Sequence, residues 1–135
     1  MDAVTARPAA RRPARRRSRA SLHVLGAALM ILVGAFLPWV STAAGTVPGV
    51  RGAGIWTLYA ACLGIAGAIV KAPRVAAAHA ALMGSVAVVL TLWQLLHLVG
   101  LVGFGGWLPG PGLVMTFGGG VLAASAAVRL WRQRP

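Results

Sequence analysis

The sequence predicts an all-α membrane protein: four transmembrane helices arranged as two helical hairpins, with both termini cytoplasmic. Three observations predict it. Of the 135 residues, 59% are hydrophobic and 10% are charged, against about 25% charged in an average soluble domain. A soluble core of this size cannot hide so much apolar surface, because small domains leave much of their surface in water. The apolar residues fall into four runs at about 21–40, 55–70, 75–100 and 113–130, separated by short segments rich in Gly, Pro or basic residues. The charges, finally, are distributed between those segments in a strongly alternating way.

Residues 1–20 hold seven arginines, with prolines at Pro8 and Pro13. Such a stretch has too few large apolar side chains to build a core, and it reads as a disordered, Arg-rich cytoplasmic tail. Arg11, Arg12, Arg15, Arg16, Arg17 and Arg19 are placed to meet anionic lipid headgroups, each for about 1 kcal/mol near an acidic leaflet. Nucleic acid is not an expected partner, since the tail has no aromatic side chain to stack on a base.

The first run, about 21–40, ends in FLPWVSTAAG, Phe36–Gly45. A basic start, an apolar run and small residues are also the pattern of a secretory signal, whose apolar region spans about 7–15 residues. This run is longer, and Pro38 and Trp39 stand where a cleavage site needs small polar residues. The expectation is a retained helix with Trp39 as an interfacial anchor. The second run, 55–70, is short for a span of about 30 Å and must stand nearly upright. The third, 75–100, follows a turn carrying Lys71 and Arg74, and the fourth, 113–130, precedes a short basic end at 131–135. Helix is the state expected of all four, because backbone polar groups in lipid must be bonded inside the segment or inside a closed barrel. No alternation of polar and apolar residues suggests barrel strands.

Counted over the segments between runs, one side carries twelve basic residues and the other only Arg51. The positive-inside rule therefore puts both termini in the cytoplasm. Gly54–Lys71 also aligns without gaps on Gly112–Arg129, small residue against small residue. This suggests two related hairpins, and Ala/Gly-rich composition explains it equally well. Small residues recur every four positions at Ala60, Gly64 and Ala68, at Gly119, Ala123 and Ala127, and at Ala80 and Gly84. Such rows let helix backbones approach closely in lipid, and internal packing is their expected use.

Chemistry-bearing residues are few. Asp2 is the one acid in the chain, so there is no carboxylate pair, no Ser–His–Asp set and no intramembrane carboxylate of the kind proton-coupled exporters need. Small multidrug exporters share the size and span count, and this chain departs from them there. No enzyme activity, cofactor or metal site is expected. His23 and His79 lie at similar depth and could in principle hold a haem between two helices, but headgroup or water contacts account for them. Cys62 is a lone cysteine in an apolar run and forms no intrachain disulfide.

Two groups of residues stand out. Thr91, Gln94 and His97 recur every three residues in the outer part of the third run, with Tyr59 at similar depth in the second. They are expected to form a polar stripe facing the bundle interior and bonding across helices, or an outward-opening pocket. Trp39, Trp56, Phe104 and Trp107 gather on the outer side as an aromatic belt or an interaction surface. The segment GFGGWLPGPG, Gly103–Gly112, is expected to lie in the interface and to be partly re-entrant.

FLPW at Phe36–Trp39, the Gly-rich outer loop, GIWTL at Gly54–Leu58 and LPGPGL at Leu108–Leu113 resemble small uncharacterised four-helix integral membrane proteins of high-GC actinobacteria. The likeness covers 21–130. It implies a four-helix fold and a bacterial inner-membrane location, and it carries over no functional residue. The function expected is that of a non-enzymatic accessory or interaction subunit, with a membrane-protein partner or a homo-oligomer. The alternative is a small oligomeric channel or transporter that uses the polar stripe.

Overall fold

The computed structural model describes residues 19–132. It contains four helices, α1 (Arg19–Phe36), α2 (Gly54–Ile69), α3 (Pro73–Val102) and α4 (Pro111–Arg132). Three of them, α1, α3 and α4, are long and apolar enough to cross a membrane by length and composition; α2, with 16 residues, is apolar but shorter. Their ends follow local chemistry. α1 stops before Pro38, which lacks the N–H a further turn requires. α3 and α4 both open on a proline, whose fixed φ suits the first helical position. α3 closes on Gly103, at φ +69°, whose N–H bonds the Val99 carbonyl at 2.9 Å.

The helices form a bundle in cyclic order. α1 packs against α2 and α4, and α3 packs against the same two, while α1 and α3 barely touch across the diagonal. The interior is built mainly of alanine and glycine, with Val24, Ile31 and Met83 as its larger fully buried aliphatic side chains. The small residues set the spacing. A Cβ on Gly84 would stand 2.9 Å from the Gly120 carbonyl oxygen, and one on Gly34 would stand 2.9 Å from that of Gly112. The backbones of α3 and α4, and of α1 and α4, therefore approach as closely as small-residue packing in lipid permits. The three rows of small residues seen in the sequence face neighbouring helices, with Ala68 half-buried and the others buried.

The structure corrects the all-α expectation at one end. Three short strands, β1 (Pro38–Thr42), β2 (Gly45–Pro48) and β3 (Trp107–Pro109), form an antiparallel sheet in the order β2-β1-β3. The first apolar run thus leaves the helix at Phe36 and does not continue to 40. The Gly103–Gly112 segment supplies β3: Val40, Ser41 and Thr42 pair with Pro109, Leu108 and Trp107. The physical reason is the demand that backbone groups be satisfied. Pro38 stops α1, and Gly103, Gly105 and Gly106 break α3, so neither continues as helix and the two connections bond each other. α3 is longer than expected, with 30 residues and a length of roughly 45 Å. α4 runs through position 130 to Arg132.

The sheet ties the α1–α2 and α3–α4 connections together at one end, the capped end. The opposite end carries Arg19, Lys71, Arg74, Arg129 and Arg132. Among the described residues Arg51, in a 3₁₀ turn at Gly49–Arg51, is the one Lys or Arg at the capped end. The two connections do not repeat each other, since the first folds as a hairpin plus the 3₁₀ turn and the second supplies a single strand.

Candidate functional site

The capped end is organised by Trp39, and here the structure overturns an expectation. Trp39 is not on an interaction surface: it is 3% exposed and forms a small core with Val40 and Leu113, against which Leu98 and Trp107 pack. Two sequence features place it. Pro38 leaves the Gly34 carbonyl without its usual donor four residues on, and the Trp39 indole N–H donates to that carbonyl at 3.0 Å. Trp39 is also the extra residue of a β-bulge, since Pro38 pairs with Pro48 and Val40 with Val47. A bulge re-aims a side chain, and this one turns the indole onto Gly49 and Gly112. The Gly110 N–H then donates to the Trp39 carbonyl at 2.7 Å, fastening the second connection to the first.

The other aromatic residues separate. Phe104 is 89% exposed in the turn after α3, and Trp56 is 62% exposed on the first turn of α2. Trp107 is half-buried against the Trp39 core and donates its indole N–H to the Gly103 carbonyl at 2.9 Å.

The polar stripe does not form one inward face. Thr91 is buried, but its hydroxyl donates to the Ala87 carbonyl of its own helix at 2.7 Å rather than across the bundle. Gln94 is half-buried and His97 is exposed, its ring stacked on Trp93 with centroids 5.1 Å apart and planes 9° from parallel. Tyr59 is 57% exposed and faces outward, edge-on to Trp56 at 6.1 Å. The helical period explains the divergence. A three-residue spacing advances 300° rather than a full turn, so a stripe of three such positions slews around the helix. Thr57 and Thr116, also buried, donate likewise to Gly54 and Gly112 carbonyls of their own helices, at 2.6 and 2.8 Å.

A groove of about 530 Å³ opens between α2 and α3. Trp56, Tyr59 and Leu63 line one wall, and Leu82, Ser85 and Val89 line the other. Its origin is a change in side-chain size along α2. Towards the basic end, Gly67 lies under His79 and Gly64 under Met83, so the helices close up. Towards the capped end the large side chains of Tyr59 and Trp56 turn outward and the contact widens. Ser85 was missed in the sequence reading. Its signal was present, a single hydroxyl in the apolar run LMGSVAVVL. Neither Ser85 nor Tyr59 hydrogen-bonds any described residue.

His23 and His79 each place Nδ1 on the carbonyl four residues back, Arg19 at 2.6 Å and Val75 at 2.8 Å. Among the described residues no three His, Cys, Asp or Glu side chains gather as metal ligands. Arg11, Arg12, Arg15, Arg16 and Arg17 lie outside the described residues, and Arg19 is the first residue of α1.

No protein-family model, curated protein or solved structure matches this chain.

Proposed function

We propose that the chain is a non-enzymatic, multi-pass subunit of a bacterial inner membrane, with both termini cytoplasmic, which associates laterally with another membrane protein. In this reading all four helices cross, and α2 is carried upright by its packing against α1 and α3. The basic end faces the cytoplasm, where the arginine tail meets anionic headgroups.

The observation that carries the reading is the outward display at the far end of α3. The most apolar stretch of α3 is 11% buried, against 39% in α1 and 44% in α4. Lipid solvates a leucine as well as protein does, so apolar exposure alone identifies no partner. Here the stacked Trp93–His97 pair and Phe104 are also exposed. Exposed aromatic groups beside a polar one are the make-up of an association surface, in which aromatic anchors carry most of the affinity. The bundle interior, filled by alanine, glycine and Met83, supports packing rather than a path for a solute through one copy.

The test is extraction of a tagged chain from native membranes in mild detergent, with mass spectrometry of what co-purifies. A stoichiometric partner that is lost from a Trp93→Ala/Phe104→Ala variant is the expected result. A chain that reproducibly carries no other protein, and whose liposomes pass solute in a Gln94- and His97-dependent manner, would replace this reading with that of a channel.

A further inference from the structure

We infer that the basic end of the folded bundle binds the phosphate groups of acidic phospholipids, through a layer of five cations that the helix register brings to one depth. The inference rests on the reading of the bundle as membrane-spanning. It names the lipid that the folded body selects, not its lateral partner.

The layer is a product of packing. A Cβ on Gly119 would meet Ile31 and the Ala27 carbonyl, which fixes α4 against α1. The two helices run antiparallel, so counting from that contact toward the basic end brings Arg19 level with Arg129 to within about one turn. Gly84 of α3 lies against Gly120 and Ala124 of α4 in the same way, which brings Arg74 level with Arg132. Lys71 joins them from the short connection between α2 and α3, just beyond the contact of Gly67 with His79. Because α4 packs against both α1 and α3, Arg129 and Arg132 stand between Arg19 and Arg74. All five side chains are exposed.

Nothing in the bundle neutralises this charge. No Asp or Glu occurs among the described residues, and Asp2 is the single acidic side chain of the sequence. The counter-charge must therefore come from outside, and depth says from where. From Pro111 to Arg132, α4 is roughly 33 Å long, close to a hydrocarbon core of about 30 Å. With the capped end at one interface, the cations stand at the phosphates of the opposite leaflet. Trp131, 68% exposed between Arg129 and Arg132, is the residue type that settles at that level. Four of the five cations are arginine, whose forked guanidinium matches a pair of phosphate oxygens. A zwitterionic headgroup carries an ammonium that these cations repel, and an acidic headgroup does not.

The experiment reconstitutes the full chain in phosphatidylcholine vesicles containing phosphatidylglycerol, with one of the two lipids brominated. Quenching by each lipid is read at Trp131, as the difference between the native chain and a Trp131→Phe variant. The remaining tryptophans, nearer the capped end, are the internal control. A preference for phosphatidylglycerol of about fivefold is expected at Trp131, as one arginine near an acidic leaflet supplies, with none at the control tryptophans. An Arg74→Gln/Arg129→Gln/Arg132→Gln variant should abolish the preference at an unchanged thermal midpoint. Salt at about 0.5 M should abolish it in the native chain. Glutamine in place of Arg11, Arg12, Arg15, Arg16 and Arg17 should leave it in place. Equal quenching by the two lipids at Trp131 overturns the inference. So does a preference that survives the triple substitution and disappears with the tail arginines. Absence of quenching by either lipid at every tryptophan would refute the membrane-spanning reading, and the inference with it. Loss of selectivity with quenching retained refutes the inference alone.

Discussion

Replacing Trp39 by phenylalanine removes one N–H and part of a ring from the small core that joins the two connections. The Gly34 carbonyl cannot recover its bond from the backbone, because the residue four positions on is Pro38. A buried acceptor left without a donor costs about 1–3 kcal/mol. The lost ring leaves space beside Gly49 and Gly112, whose backbones already lie against the indole, and adds about 1 kcal/mol as a large-to-small change. The expected loss is thus about 2–4 kcal/mol. Trp39→Ala should cost more, about 5 kcal/mol, combining a full aromatic truncation with the orphaned carbonyl. Trp107 supplies an internal comparison. It also donates an indole N–H, to the Gly103 carbonyl just past the end of α3, at 2.9 Å, but that bond is exposed. Water or headgroups can replace that bond, so Trp107→Phe should cost no more than about 1 kcal/mol. The assay is the unfolding midpoint in mild detergent under titration with a denaturing detergent, run on all three variants. Equal shifts for Trp39→Phe and Trp107→Phe would refute the assignment of Trp39 as the pin of the capped end.

Glycine substitutions should separate by position: Gly34→Ala forces a Cβ to 2.5 Å from the Thr116 hydroxyl oxygen and should sharply lower the thermal midpoint, whereas Gly26→Ala meets nothing within 4 Å and should leave it unchanged. Thr91→Val and Thr116→Val each remove a hydroxyl that serves only its own helix, so each should change stability by about 1 kcal/mol or less in the same titration. In a Cys62→Ala background, a cysteine at Ala44 in the β1–β2 turn should react with a membrane-impermeant thiol reagent from the periplasmic side, and one at Lys71 only after the inner face is opened. The reverse pattern would invert the proposed topology. Substituting Gln94 and His97 together by alanine should leave the fold intact and the stability within about 1 kcal/mol of the parent, since neither side chain is buried in the bundle.

The helices themselves were legible in the sequence because their causes are local. A run of apolar residues near 20 long satisfies its backbone only as helix in lipid, and Pro38, Pro73, Pro111 and Gly103 mark ends that no distant contact is needed to explain. The charge asymmetry, too, is a property of the chain read end to end. Facing is another matter. Thr91 and His97 look equivalent on a list of spacings, yet one is buried and the other stacks outward on Trp93, because which side of α3 is interior depends on where α2 and α4 come to rest. The same holds at the capped end. Trp39 has every local mark of an interfacial anchor, and it is buried because β1 meets β3, more than sixty residues further along the chain. The groove beside Tyr59 and Ser85 belongs to neither helix alone: it is the gap left where Gly64 and Gly67 cease to hold two backbones together. Local patterning and the distribution of charge along the chain therefore determined that the chain is helical and apolar, with its basic residues gathered at one end. Pairings between distant segments decided which of its few polar and aromatic side chains are spent on the fold and which remain available to a partner.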